Sequence, residues 1–272
     1  YKIIVRPALL TAMLGYTFVA FAVFSDIGRF YYIWHPLIMW NGNSALFEVG
    51  ICVMIYLTVL YIEFLPLVTE RFIGRVNLPD TFAFLNKPVD KALRYLDSRL
   101  SITMFIFIIA GVVLSTLHQS SLGTLMIIAG QKMHPLWQTP ILPLLFLLSA
   151  IAVGFPMVIF ESLIASRSFK MKPEMHVLSR LGGMISPIIG IYLAFKIGDV
   201  FIRETFKYIL VFDSTSWMFI SEMGLMFAAF FLFLSRKITN SPLGLFIASS
   251  LVIAGVRSEE HTSELQSHHD LV

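Results

Sequence analysis

PILPLLFLLSAIAVGFPMVIFESLIA, residues 140–165, carries a single charged side chain, Glu161, in twenty-six positions. As a helix rising 1.5 Å per residue it is about 39 Å long, more than the roughly 30 Å of hydrocarbon in a bilayer. It is apolar on every face, which a half-exposed helix of a water-soluble fold is not. Short alternating segments of the barrel kind do not occur. The stretch therefore reads as a membrane-crossing helix, because a backbone surrounded by lipid has to satisfy its own hydrogen bonds.

The rest of the chain follows the same pattern. Apolar segments run over roughly 7–25, 44–66, 101–121, 140–165, 179–202 and 214–235, with a shorter one at 243–256. The 272 residues are 57% hydrophobic and 14% charged, against about 25% charged in soluble domains. The fold expected is an all-α integral membrane protein. It is a polytopic helical bundle of six complete transmembrane helices and a truncated seventh, forming one transmembrane domain over 1–256. A net charge of +3 in such a chain does not point to nucleic acid. Basic residues here record orientation. Fourteen Lys and Arg fall in the N-terminal stub, in 67–100, in 166–180 and in 236–242, while five fall on the alternate side. The first group is expected in the cytoplasm. The loops 26–44, 121–139 and 206–214 then face outward, with Trp34, Trp40 and Trp137 suited to an interfacial aromatic belt.

The seventh segment stops at Val256, after about 21 Å of helix. RSEEHTSELQSHHDLV, residues 257–272, would place Arg257, Glu259 and Glu260 inside the bilayer, at a cost of about 2.5–3.5 kcal/mol for each central charge. The same sixteen residues resemble the translation of a common sequencing-adapter oligonucleotide. They are read as a non-native tail, and His261, His268 and His269 are not taken as a metal site. The chain begins at Tyr1 and is expected to be a fragment lacking N- and C-terminal parts.

Ionisable residues inside a membrane are costly and so mark candidate sites. Asp26 and Arg29, in DIGR, stand about one helical turn apart and can pair. Glu48 lies near the outer end of the second span, and His118 and Gln119, in LHQSSLG, near the outer end of the third. A neutral imidazole beside an amide suits a quinone carbonyl, which takes a hydrogen bond and then a proton. Glu63, Glu161 and Glu222 are candidates for a proton route, although Glu63 and Glu161 can equally pair with Arg71 or Arg167. Lys196 and Asp199 can neutralise each other. One cysteine, Cys52, rules out a disulfide within the chain and is too few for an iron–sulfur cluster. His35, His134 and His176 fall in loops and leave only His118 on a span, so no haem and no metal site is expected. Walker, HExxH and serine-nucleophile motifs do not occur, and no catalytic residue is assigned.

WHPLIMWNGNSALFEVGICVMIYLTVLYIEFLP (34–66) and LHQSSLGTLMIIAGQKMHPLWQTPILPLLFLLSAIAVG (117–154) resemble the Hyb-type hydrogenase "cytochrome b" subunit of the NrfD/polysulfide-reductase membrane-subunit family. DIGR at 26–29 resembles that family's acid–x–Gly–Arg motif, and the likeness extends over 7–256. The resemblance implies a quinone-reactive membrane anchor of a respiratory oxidoreductase, inactive alone. It would exchange electrons between menaquinone or ubiquinone and a ferredoxin-like iron–sulfur subunit at the outer face. Hydrogenase, reductase or multihaem cytochrome subunits would complete the complex in a bacterial or archaeal inner membrane. In this reading Asp26, Arg29, Glu48, His118 and Gln119 form the quinone site. Glu222, Glu161 and Glu63 carry protons toward the cytoplasm. Two alternatives remain open at this point. One is a secondary transporter, for which Pro156, Pro187, Gly182 and Gly183 would break helices. The other is a passive anchor with no quinone site of its own.

Overall fold

The computed structural model describes residues 2–26, 28–42, 44–76, 84–128 and 133–268, with side chains throughout except those of 2–4, 26, 45 and 260–268. Helices α1 (Lys2–Asp26), α2 (His35–Ile38), α3 (Ala45–Phe72), α4 (Asn86–Ile128) and α5 (Leu142–Ser168) are followed by α6 (Met175–Ile202), α7 (Phe206–Ile209), α8 (Ser214–Leu234), α9 (Arg236–Thr239) and α10 (Pro242–His268). Among the described residues seven helices are long and apolar enough to cross a membrane: α1, α3, α4, α5, α6, α8 and α10. The protein is a multi-pass, all-α membrane protein. Part of the loop expected at 67–100 is helix. α3 continues to Phe72, and α4 starts at Asn86. With 43 residues α4 is about 64 Å long, twice the hydrocarbon thickness, so its polar start, NKPVDKALRYLDSR, extends beyond the lipid. α10 continues without a break past Val256 to His268. α5 and α6 run uninterrupted through Pro156 and Pro187, and so lack the discontinuities that the transporter alternative relies on.

The chain divides into two units, residues 1–115 and 116–272. In the first, α1 lies antiparallel to α3. Arg6 pairs with Glu70 at 2.6 Å, Thr17 Oγ1 and the Tyr61 hydroxyl are 3.0 Å apart, and Tyr16 meets Tyr56 edge-on with ring centroids 4.6 Å apart. Ser44 caps α3 by accepting from the Phe47 N–H. α1 ends at Asp26, and two residues later Gly28 takes φ +69°, a left-handed conformation that only glycine adopts without strain. The glycine of the DIGR motif thus turns the chain into the short helical turn Phe30–Tyr32.

In the second unit, α5 packs on α6 and α10, and α8 packs on the same two, closing a four-helix ring. The inward residues recur every three, four or seven positions: Leu145, Ala152 and Ile159; Leu178, Ile185, Ile189 and Tyr192; Phe219, Met226, Ala229 and Phe233; Leu245, Ala248, Val252 and Val256. Their outward neighbours are just as apolar, and Ile202 is 84% exposed. The C-terminal part of α4 lies against the start of α5. There a Cβ on Gly123 would stand 2.7 Å from Pro143 Cα, backbone against backbone.

That contact makes Gly123→Ala an overpacking substitution, expected to cost about 1–3 kcal/mol. At Gly154 an added Cβ meets nothing within 4 Å, so Gly154→Ala is expected to be neutral or stabilising. Thermal unfolding of the two variants in detergent measures the contrast.

Candidate functional site

Lys196 and Glu222 form an ion pair at the centre of the second unit, 4% and 1% exposed respectively. Their helices bring them together, with Lys196 on the inward stripe of α6 one turn after Tyr192, and Glu222 on the stripe of α8 between Phe219 and Met226. The ammonium also donates to the Tyr192 hydroxyl at 3.0 Å and to Glu259 Oε1 at 2.7 Å. The indole N–H of Trp137 donates to Glu222 Oε2 at 3.0 Å, and the Tyr192 hydroxyl donates to Glu259 Oε2 at 2.6 Å. The rings of Tyr192 and Phe219 stand 5.5 and 5.6 Å from the ammonium, near enough for their faces to add cation–π attraction. Glu259 belongs to the stretch whose sequence reads as a non-native tail. The other groups all precede it.

A polar rim borders this cluster. Asp199, one turn beyond Lys196, pairs with Arg203 rather than with the lysine, at 2.6 Å, and accepts from Thr139 Oγ1 at 2.7 Å. Arg203 also donates to the carbonyl oxygens of Pro135 and Gln138, tying the 133–141 loop to α6. The expected Lys196–Asp199 pair is therefore replaced. The reason is geometric: Lys196 faces α8 and Asp199 faces the loop. Trp137 also departs from expectation. It is 2% exposed and packs edge-on against Phe219 with centroids 5.5 Å apart, as part of the core instead of an interfacial belt. Trp34 and Trp40 are exposed. His134 in this loop accepts from the Leu136 N–H at Nδ1, 3.3 Å away, and its ring meets Tyr208 at 5.6 Å.

The other sequence candidates are distributed as follows. In the first unit Arg29 is exposed, and Glu48 is exposed in the first turn of α3. Asp26 closes α1, but its side chain, and with it the expected Asp26–Arg29 pair, lies outside the described residues. Glu63 is half-buried against α4, where a Cβ on Gly111 would stand 2.7 Å from its Oε1. In the second unit His118 and Gln119 are half-buried on α4. Gln119 Oε1 has no hydrogen-bond partner among the described residues. Glu161 is half-buried on α5. Cys52 is a buried free thiol. Among the described residues no three His, Cys, Asp or Glu side chains gather as they would around a metal ion. Among the described residues, Glu222 is the candidate that enters this connected buried cluster. Lys196 pairs with Glu222 in place of the Asp199 that the sequence suggests. Tyr192 carried no signal, because a tyrosine in an apolar helix reads as core.

The model of the family described as "Polysulphide reductase, NrfD" matches residues 1–262. The chain belongs to the NrfD family. It is 33% identical over 260 residues to the "Probable Ni/Fe-hydrogenase 2 b-type cytochrome subunit" of Escherichia coli, covering 94% of this chain and 62% of that protein. A protein of Nitratidesulfovibrio vulgaris is 36% identical over 265 residues, covering 94% of this chain and 63% of its own length. The "Menaquinone reductase, integral membrane subunit" of the same organism is 25% identical over 288 residues, covering 98% and 64%. The chain thus spans somewhat less than two thirds of the curated relatives it matches.

Two outcomes are expected. Removing one partner of a buried ion pair strands the other charge, so Lys196→Met is expected to cost about 3–5 kcal/mol, most of it recovered in Lys196→Met/Glu222→Met. Denaturation in mixed micelles reads this. His134 lies in a loop. Burial lowers its pKa below the ordinary histidine value, and Asp213 opposes this in part. Because the folded pKa is depressed, its contribution to stability is complete above the unfolded value and is lost as pH falls through the folded one. Histidine resonances of the isotope-labelled protein should show the His134 ring titrating below an ordinary histidine.

Proposed function

We propose that this NrfD chain is the quinone-reactive membrane subunit of a respiratory oxidoreductase of hydrogenase type. It passes electrons between an iron–sulfur subunit docked at the outer face and a menaquinone or ubiquinone pool in a bacterial or archaeal inner membrane. The observation that carries the reading is the family match over residues 1–262, joined to relatives whose names cite a Ni/Fe-hydrogenase and menaquinone reduction. Gln119 adds support. Its buried amide oxygen accepts no hydrogen bond among the described residues, and an acceptor left open in this way fits a ligand hydroxyl such as that of a quinol.

A bound quinone supplies the two-electron, two-proton chemistry. The residues position it and handle its protons. The His118 ring and the Gln119 amide, consecutive on α4, offer hydrogen bonds to a ring carbonyl, and His118 can pass a proton to the carbonyl oxygen. Arg29, a permanent cation, holds Asp26 ionised or offsets negative charge gathered on the ring. Glu48 is the remaining member of the proposed site. Glu222, Glu161 and Glu63 give the protons a route toward the cytoplasm. If that route carries protons, turnover is electrogenic.

The test uses the full-length protein copurified with its iron–sulfur partner. Reduction of a soluble quinone analogue is compared between wild type, His118→Ala and Asp26→Asn. With assembly intact, each variant is expected to lose activity about a hundredfold, the usual size of a positioned proton donor's contribution. Full activity in both would leave these residues structural. Quinone reactivity that persists through every variant of the proposed site would favour the passive anchor.

A further inference from the structure

The Lys196–Glu222 pair is an expensive object to keep inside a membrane bundle. Well-packed apolar residues of the same volume hold such a position about as stably, so a buried ion pair is weak as a stability device. Its surroundings suggest another use. Beside it lies a void of about 10 Å³, bordered among others by Lys196, Asp199, Trp137, Thr139, Leu142 and Glu259. That is close to the smallest space that holds one water, and it offers several polar partners. On the other side of Thr139 and Leu142 a cleft of about 260 Å³ opens to the surface between the end of α4 and the 133–141 loop. Gln138 lines that cleft too. Thr139 and Leu142 therefore wall both spaces. The Thr139 hydroxyl is already committed to Asp199, which Arg203 holds in place.

We propose that the Lys196–Glu222 pair is a proton-holding site, loaded from this cleft by way of Thr139 and the void beside Asp199. This deepens the proton role given to Glu222 under the proposed function, and changes its direction: the opening lies toward the 133–141 loop. Loading forms an O–H bond on a Glu222 carboxylate oxygen. One O–H bond of a hydronium in the cleft breaks, and that hydronium leaves as water. The ion pair becomes a neutral acid beside an ammonium, and it re-forms when the proton departs. The Trp137 indole and the Tyr192 hydroxyl keep the two groups in place through both states. The charged and titratable groups in contact with the pair are Tyr192 from α6 and Glu259 from α10; Asp199, held by Arg203, borders the void, as do Leu142 and Leu145 of α5. Glu259 supplies a second carboxylate and one wall of the void, while the groups that hold and pass the proton, Glu222, Lys196 and Thr139, all precede residue 257.

The experiment is infrared difference spectroscopy of the full-length complex in nanodiscs, recorded on acidification and after transfer to deuterated buffer. It needs no electron donor and no quinone, so it stands or falls apart from the quinone reading. A carboxylic-acid C=O band should appear on acidification and disappear in Glu222→Gln. Thr139→Val should slow its hydrogen–deuterium exchange about tenfold, the equivalent of one hydrogen bond in the path. If Glu222→Gln fails to assemble, Lys196→Met/Glu222→Met preserves the volume without charge and should also lose the band. A band that survives both Glu222 variants, or an exchange rate unchanged in Thr139→Val, overturns the proposal.

Discussion

A backbone in lipid has no water to bond to, and everything else in this protein depends on that. Each unpaired N–H or C=O would cost several kcal/mol in hydrocarbon, so every crossing segment closes its own hydrogen bonds as a helix. The continuity of α5 through Pro156 and of α6 through Pro187 shows how firmly the rule holds. Proline removes one donor, and the helix carries on around the gap. What remains for evolution to vary is which side chains the helices present and how closely they approach. The contact of Gly123 with the backbone at Pro143 is one such choice, made by leaving out a side chain.

The same solvent changes what holds the helices to each other. Lipid tails are as apolar as leucine, so burying Ile159 or Leu245 between helices gains packing and little hydrophobic free energy. Polar contacts carry more weight there. In the second unit one cluster joins the 133–141 loop, α6 and α8 through Trp137, Lys196, Tyr192 and Glu222. A second, built on Asp199 and Arg203, ties the loop back to α6. The two clusters together fix the loop between α4 and α5 relative to the bundle, and the loop in turn shapes the cleft that opens beside it.

Much of the architecture was legible in the sequence. The 140–165 run and its companions marked the spans, because length and hydropathy suffice when lipid is the solvent. The ends were less legible. The helical start of α4 at Asn86 is polar and amphipathic, so an apolar count stops near residue 101 while the hydrogen-bonded helix does not. Facing was not legible at all. Ile185 and Ile202 are the same residue in the same helix, one buried and the other open to lipid, with no difference in hydropathy to separate them.

The sequence by itself determined that the chain crosses the membrane as helices, the order of those helices, and its membership of the NrfD family, since each depends on composition and on runs of residues read in order. Only the tertiary structure decided that Lys196 pairs with Glu222 and leaves Asp199 to Arg203, and that Trp137 is a buried donor. The reason is physical. Partners 26 and 85 residues apart meet only when α6, α8 and the 133–141 loop are packed. The nearer and more obvious partner, three residues along the same helix, points to a different neighbour.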